Sequence, residues 1–303
     1  MSIKWVVLIA VVVVGAKESS AGPYFRRDVL DNAFDSPDGL LSHLSHLERQ
    51  LYADPSNETG LKVSQWHEGL GVNPEELGEY VEGDILFPSS MSRNGLKASS
   101  ARWPDGVIPY IISPFFNEEQ QNVIQEAMAD YHRHTCIRFK PYAGVESDYI
   151  RITAGNTGCW SSVGRIGGRQ DINLQVPGCI YKKGTVIHEL MHVVGFLHEQ
   201  SRYERDEFVI VQWQNILRGH EVNFEKSSRQ TTDAFGIGYD YASVMHYSPN
   251  AFSKNGQPTI IARGAAIEVL GQRSGFSKRD IQKIRRMYKC GTRRESFNDF
   301  LFY

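Results

Sequence analysis

The sequence predicts an α+β domain of about 200 residues beginning near Asn94, and three observations carry that prediction. Strand-like stretches come first and helical ones later, around a central segment rich in histidine. The texture changes near residue 100, from polar sequence broken by Asp, Asn, Pro and Gly to sequence dense enough in β-branched residues to build a core. All four cysteines, Cys136, Cys159, Cys179 and Cys290, lie beyond residue 135, so the first third and the remainder are different kinds of unit. With 41% hydrophobic residues in 303, a sizeable core is available. The net charge is −2 and the basic residues are scattered. Nothing in that pattern points to nucleic acid or an anionic membrane as a partner.

Taken in order, the chain opens with MSIKWVVLIAVVVVGA, in which one lysine precedes an apolar run from Trp5 to Val14 and small residues follow at Gly15, Ala16, Ser19, Ser20 and Ala21. This is the layout of a secretory signal peptide over residues 1–21, cleaved after Ala16 or Ala21. The run is shorter than the roughly 20 apolar residues of a membrane span. A secreted, extracellular protein is therefore expected. Residues 22–93 read as a polar segment with one helical stretch, LLSHLSHLERQLY, and with the glycosylation sequon at Asn57. The linker MSRNGLKASS, residues 91–100, carries Arg93 and is the kind of exposed stretch that processing proteases cut.

Beyond the linker, GVIPYIIS (106–113) and DYIRITAG (148–155) read as strands, and NEEQQNVIQEAMADYHRHT (117–135) as an amphipathic helix capped by Ser113 or Asn117. Further strands are expected at SSVGRI and INLQV, a helix through DEFVIVQWQNILRGHEVNFE, and a last helix at SKRDIQKIRRMYK (277–289). Residues 291–303 read as a short tail. Four cysteines in an exported chain read as two disulfides, with three connectivities open.

The chemistry concentrates in HELMHVVGFLH, residues 188–198. On a helix, His188 and His192 lie about 40° apart and about 6 Å along the axis, so both rings reach one metal ion. His198 would lie about 15 Å from His188 on an unbroken helix. Gly195, free to take positive φ, ends the helix and lets His198 return. Three imidazoles with an open fourth position are the catalytic pattern of zinc. Glu189, about 100° round from His188, is placed to take a proton from water on the ion, which implies peptide-bond hydrolysis. His43, His46, His67, His132 and His134 read as ordinary histidines.

The pattern HExxHxxGxxH resembles that of the metzincin metalloproteases, and His198-Glu199-Gln200-Ser201-Arg202 with Arg205-Asp206 resembles the astacin signature HExxHxxGxxHExxRxDRD, with Glu204 at one aspartate position. Ser243-Val244-Met245-His246-Tyr247 resembles the family's SxMHY Met-turn. The resemblance runs from about Arg102 through Cys290, a catalytic domain over residues 94–290. It implies the zincin fold: an N-terminal subdomain with a twisted, mostly parallel sheet and two helices, a mostly irregular C-terminal subdomain with a last helix, and one zinc ion per subunit in the cleft between. It also implies that Met245 is a structural floor, that Tyr247 is a mobile zinc ligand and catalytic group, and that Cys136 pairs with Cys290 and Cys159 with Cys179.

Tyr80-Val81-Glu82-Gly83-Asp84-Ile85 resembles the family's pro-segment motif FxGD, with Tyr80 taken as the replacement for phenylalanine and Asp84 as a zinc ligand of the zymogen alone. By the same likeness Glu199 receives the amino terminus that cleavage between Arg93 and Asn94 creates. The stretch from Cys159 to Val163 resembles a cleft-edge strand that pairs with extended substrate, and Arg263 is a candidate for an acidic substrate side chain. The expectation is thus a secreted, monomeric zinc endopeptidase acting on proteins or peptides and activated by a protease. A metzincin with a cysteine switch fails, because residues 22–93 contain no cysteine. The non-enzymatic rival is an inactive pseudoprotease serving as a binding protein. It is disfavoured because His188, Glu189, His192, His198 and Tyr247 are all present.

Overall fold

The computed structural model describes residues 52–88, 101–227, 234–264 and 269–291. The signal-peptide stretch, the helix expected at LLSHLSHLERQLY apart from Tyr52, the Arg93–Asn94 junction and the tail after Gly291 lie outside the described residues.

In chain order the elements are β1 (Tyr52–Ala53), α1 (Asn57–Ser64), β2 (Phe87–Pro88), β3 (Val107–Ile112), α2 (Glu118–His134), β4 (Arg138–Pro141), β5 (Tyr149–Thr153), β6 (Cys159–Trp160), β7 (Arg169–Leu174), α3 (Gly178–Tyr181), α4 (Lys183–Val194), β8 (Val209–Val211), β9 (Ile260–Ala262) and α5 (Lys278–Met287). A five-stranded sheet has the order β4-β3-β5-β7-β6. Its first four strands are parallel, and β6 joins β7 antiparallel at the edge, with Cys159 opposite Leu174.

The two long helices that share a core with this sheet form where the sequence favours them. Asn117, rather than Ser113, caps α2: its side chain accepts from the Gln120 N–H while the Gln120 side chain accepts from the Asn117 N–H. Ile124, Ala127, Met128 and Tyr131 recur at helical spacing and enter one core with Ile108, Ile150, Ile152 and Ile172 of the sheet and Val186, Ile187, Leu190 and Val194 of α4. The Tyr131 hydroxyl, buried with them, donates to the Ile187 carbonyl at 2.8 Å, which locks α2 to α4.

Two sequence expectations are corrected. DEFVIVQWQNILRGHEVNFE is not a helix: it contains the strand β8 between short 3-10 turns. Its Val-Ile-Val run is β-branched, and it pairs antiparallel with Ile260–Ala262 about fifty residues on, a partner that local periodicity does not reveal. SSVGRI is not a strand either; only Ser161 makes a bridge, to Ile85, and Gly164 turns the chain close under Ala101. The strand expected at INLQV is present but begins earlier, at Arg169.

Both disulfides have the expected pairing, Cys136–Cys290 and Cys159–Cys179. The first ties the start of β4 to the end of α5, and the second ties the edge strand to α3. Among the described residues no helix is long and apolar enough to cross a membrane.

Candidate metal centre

α4 is buried along its whole length from Gly184 to Val194. Gly195 ends it at φ +123°, and its N–H bonds back to the carbonyls of His192 and Met191. A Cβ there would meet only the movable end of Met287, Cε at 2.7 Å, so it is the positive φ that makes the turn need glycine. The chain then returns, and the Glu199 N–H bonds to the Met245 carbonyl at 2.9 Å, which places His198 beside the helix histidines.

The rings of His188, His192 and His198 have centroids 4.8 to 5.1 Å apart. Asp84 completes the group: its Oδ2 lies 2.9 Å from His188 Nε2 and 3.3 Å from His198 Nε2, and its Oδ1 lies 3.3 Å from His192 Nε2. All four residues are buried.

The arrangement demands a positive charge. Each Nδ1 is spent on an acceptor: Val244 O for His188, Phe196 O for His192 and a Glu82 carboxylate oxygen for His198. Were all three rings neutral, their Nε2 lone pairs would converge on a carboxylate, acceptors facing an acceptor, so the group calls for a metal ion or a proton. His192 Nε2, His198 Nε2 and Asp84 Oδ1 are buried with no hydrogen-bond partner. Burial brings His188 down to about 4. Burial acts the same way on His198, but Asp84 and Glu82 overcome it and push that ring up to about 10. Three nitrogens and one oxygen suit zinc, and the 3.3 Å separations match the edge of a tetrahedron with bonds of roughly 2.0–2.1 Å.

Around this group the structure places the other expected residues. Glu189 is fully buried; Ser161 Oγ donates to its Oε2 at 2.9 Å, while its Oε1 has no partner. Burial first, and Asp84 second, push its carboxyl well above the usual value. Met245 lies in the main core. The Tyr247 ring packs 4.7 Å from that of His198, and its hydroxyl donates to the Glu82 carbonyl at 2.6 Å. Burial keeps that hydroxyl well above its usual pKa, hence protonated.

Glu199 is already saturated: Lys283 and Arg202 bond its carboxylate, as does the Asp240 N–H at 2.8 Å. An incoming amino terminus would have to compete with them. Arg263 is exposed beyond β9, with its guanidinium on the Asp206 carbonyl. Arg273, which acts electrostatically on His188, is buried and paired with Glu75. Asn57 is exposed at the first turn of α1. Counting back from Asp84, the phenylalanine position of FxGD falls on Val81 rather than Tyr80. Val81 packs on Ile85 and Phe87, while the Tyr80 hydroxyl donates to Thr157 O.

Sequence reasoning missed four supports. Glu82 holds His198; Ser161 holds Glu189. Asp280 accepts from Ser243 Oγ and the Val244 N–H and so fixes the Met-turn; the capping box of Ser277 and Asp280 was its local signal. Glu76 accepts from the Ser248 N–H and Oγ, docking the amino-terminal segment beside that turn. Ser161 also binds this segment through its backbone, its N–H donating to Asp84 O and its carbonyl accepting from the Leu86 N–H.

Residues 95–289 match the profile of the peptidase family described as Astacin. The chain is 44% identical over 254 residues to zinc metalloproteinase nas-13 of Caenorhabditis elegans, a match that covers 84% of this chain and 56% of that protein. It is 38% identical over 258 residues to zinc metalloproteinase nas-4 of the same organism, covering 78% of this chain and 81% of that one. Among solved structures it is similar to high choriolytic enzyme 1, a hatching enzyme zinc-protease from Oryzias latipes, with a TM-score of 0.58 and 38% identity over 62% of this chain and 93% of that one. The chain therefore spans little more than half the length of nas-13. On the family profile, these relatives and the metal group together, the chain belongs to the astacin family of zinc metalloproteinases.

Proposed function

We propose that the protein is a secreted zinc-dependent endopeptidase made as a zymogen, with residues 1–21 as signal peptide, 22–93 as pro-segment, 94–290 as catalytic domain and 291–303 as tail. One observation carries the reading: Asp84, from outside the family-matched residues, sits in a buried group with His188, His192 and His198. Zinc in that group supplies Lewis-acid polarisation of the substrate carbonyl and activation of water near neutral pH.

The chain's own residues do the rest. His188, His192 and His198 hold the metal through Nε2, each oriented by the acceptor on its Nδ1. Glu189 is the general base: Ser161 fixes one oxygen and leaves Oε1 to take a proton from water and pass it to the leaving amine. Tyr247, protonated, donates to the developing oxyanion once its hydroxyl is released from Glu82. Asp84 fills the reactive position until the segment leaves. Cleavage near Arg93 by an activating protease releases it, and the substrates are proteins or peptides bound along β6 to a monomeric enzyme.

The test is to treat the purified uncleaved chain with trypsin and follow digestion of a denatured protein with and without a zinc chelator. Activity should appear on cleavage and vanish with the chelator or in Glu189→Ala, and Asp84→Ala should raise the activity of the uncleaved chain. Activity that survives chelation or Glu189→Ala would refute the mechanism. An uncleaved Asp84→Ala chain as silent as wild type would remove Asp84 from the site.

A further inference from the structure

The three candidate metal histidines anchor their second ring nitrogens differently. His188 and His192 donate to neutral backbone carbonyls, of Val244 at 2.8 Å and Phe196 at 2.7 Å, both within the family-matched residues. His198 donates instead to a carboxylate, Glu82 Oε2 at 2.6 Å, and Glu82 lies outside residues 95–289.

We propose that Glu82 is a positioning residue for the metal: while the amino-terminal segment is docked, its carboxylate orients His198 and slows metal release, and departure of the segment converts a slowly exchanging centre into a faster one. The inference rests on the zinc reading given above.

Glu82 is held for this task from every side. Its N–H donates to Asn223 Oδ1 at 3.0 Å, its Oε1 accepts from Ser201 Oγ at 2.9 Å, and its carbonyl accepts from the Tyr247 hydroxyl at 2.6 Å. Its φ of +49° is a conformation that residues other than glycine rarely adopt. Such a conformation is strained and persists only where surrounding bonds over-determine it. Gly83, at φ +89°, completes the tight turn that sends Glu82 to one nitrogen of His198 and Asp84 to the other.

A carboxylate on Nδ1 fixes the tautomer that aims the Nε2 lone pair at the metal and makes that nitrogen a stronger donor. The contact is shielded from water, since Glu82 is 7% and His198 2% exposed. Partners of this kind are typically worth about 10–100-fold in metal affinity. Asp84 acts on the metal directly and Glu82 only through His198, so the two roles are separable by substitution.

The experiment uses the full uncleaved chain loaded with zinc and measures its release into an excess of chromogenic chelator, for wild type, Glu82→Gln and Glu82→Ala. Glu82→Ala should release zinc about 10–100-fold faster. Glu82→Gln, whose side-chain carbonyl still accepts from His198, should fall between. The visible absorption of the cobalt-substituted chain should shift in Glu82→Ala and be largely restored in Glu82→Gln, a ranking that a merely structural role would not produce. If Glu82→Ala fails to fold, Glu82→Gln decides: release at the wild-type rate with an unchanged cobalt spectrum overturns the proposal. Zinc held by wild type and released equally fast by all variants overturns this inference alone, whereas a wild-type chain that retains no stoichiometric zinc overturns the zinc reading and this inference with it.

Discussion

Substituting Gly60 by alanine sets helix propensity against packing. Alanine in a helix interior is favoured over glycine by about 1 kcal/mol, so α1 taken alone should gain. In the folded chain, however, the new Cβ would lie 1.9 Å from the Asn156 carbonyl oxygen, where ordinary contact begins near 3.4 Å, so the helix must move out by about 1.5 Å. That displacement breaks the 2.8 Å bond from Gln175 Nε2 to the Gly60 carbonyl and loosens Thr59 and Val63, which are 0% and 1% exposed. Overpacking costs about 1–3 kcal/mol and the lost bond about 0.5–1.5. After subtracting the propensity gain, docking of α1 should weaken by about 0.5–3.5 kcal/mol, or about 2- to 300-fold in equilibrium constant. Amide hydrogen exchange over residues 57–64 of the uncleaved chain reads this directly, with Leu61→Ala, at a 66% exposed position, as the neutral control. Exchange in Gly60→Ala that is unchanged or slower than wild type would refute the reasoning, because propensity would then have outweighed the contact.

Three further outcomes are expected. The Cys136–Cys290 bridge spans 154 residues and Cys159–Cys179 spans 20; chain entropy assigns them about 5 and about 3 kcal/mol. Denaturant unfolding of the two double alanine variants should rank them in that order, and equal losses would contradict it. Glu75→Ala leaves the buried Arg273 guanidinium without its carboxylate and should cost about 3–5 kcal/mol in urea unfolding; a loss under about 1 kcal/mol would mean that the pair is not intact in solution. Burial alone would raise the Glu199 carboxyl, but Lys283 and Arg202 hold it below its usual 4.5. A folded value below the unfolded one gives stability that is complete above 4.5 and is lost as pH falls through the folded value. Glu199→Gln should therefore lower the melting temperature at pH 7, with the gap to wild type narrowing below about pH 4; a gap independent of pH would count against the pairing.

The zinc-binding helix and the turn after it were legible because the information is local: a four-residue histidine spacing and one glycine placed where the helix must stop. The same holds for α2 and α5, whose caps and apolar stripes lie within a single turn or two. What escaped depends on partners distant in sequence. Val209–Val211 becomes a strand because Ile260–Ala262 lies alongside it, and the polar and apolar residues around it imitate a helix when read alone. Glu82 meets His198 across 116 residues, and nothing near either residue announces the other. Arg273, which acts electrostatically on His188, is likewise tied to a residue far away in sequence, Glu75.

Ser161 carries one further consequence. Its hydroxyl holds Glu189, while its N–H and carbonyl hold the backbone of Asp84 and Leu86. On the mechanism proposed above, the residue that orients the base is thus also the one that fixes where the amino-terminal segment lies along the sheet edge. A replacement chain taking over those two backbone bonds would, on that mechanism, be indexed against Glu189 like a strip against a ruler mark. Because side chains alternate along an extended strand, a slip of one residue would present the opposite set to the cleft, so the choice of bond and the aim of the base are read from a single origin.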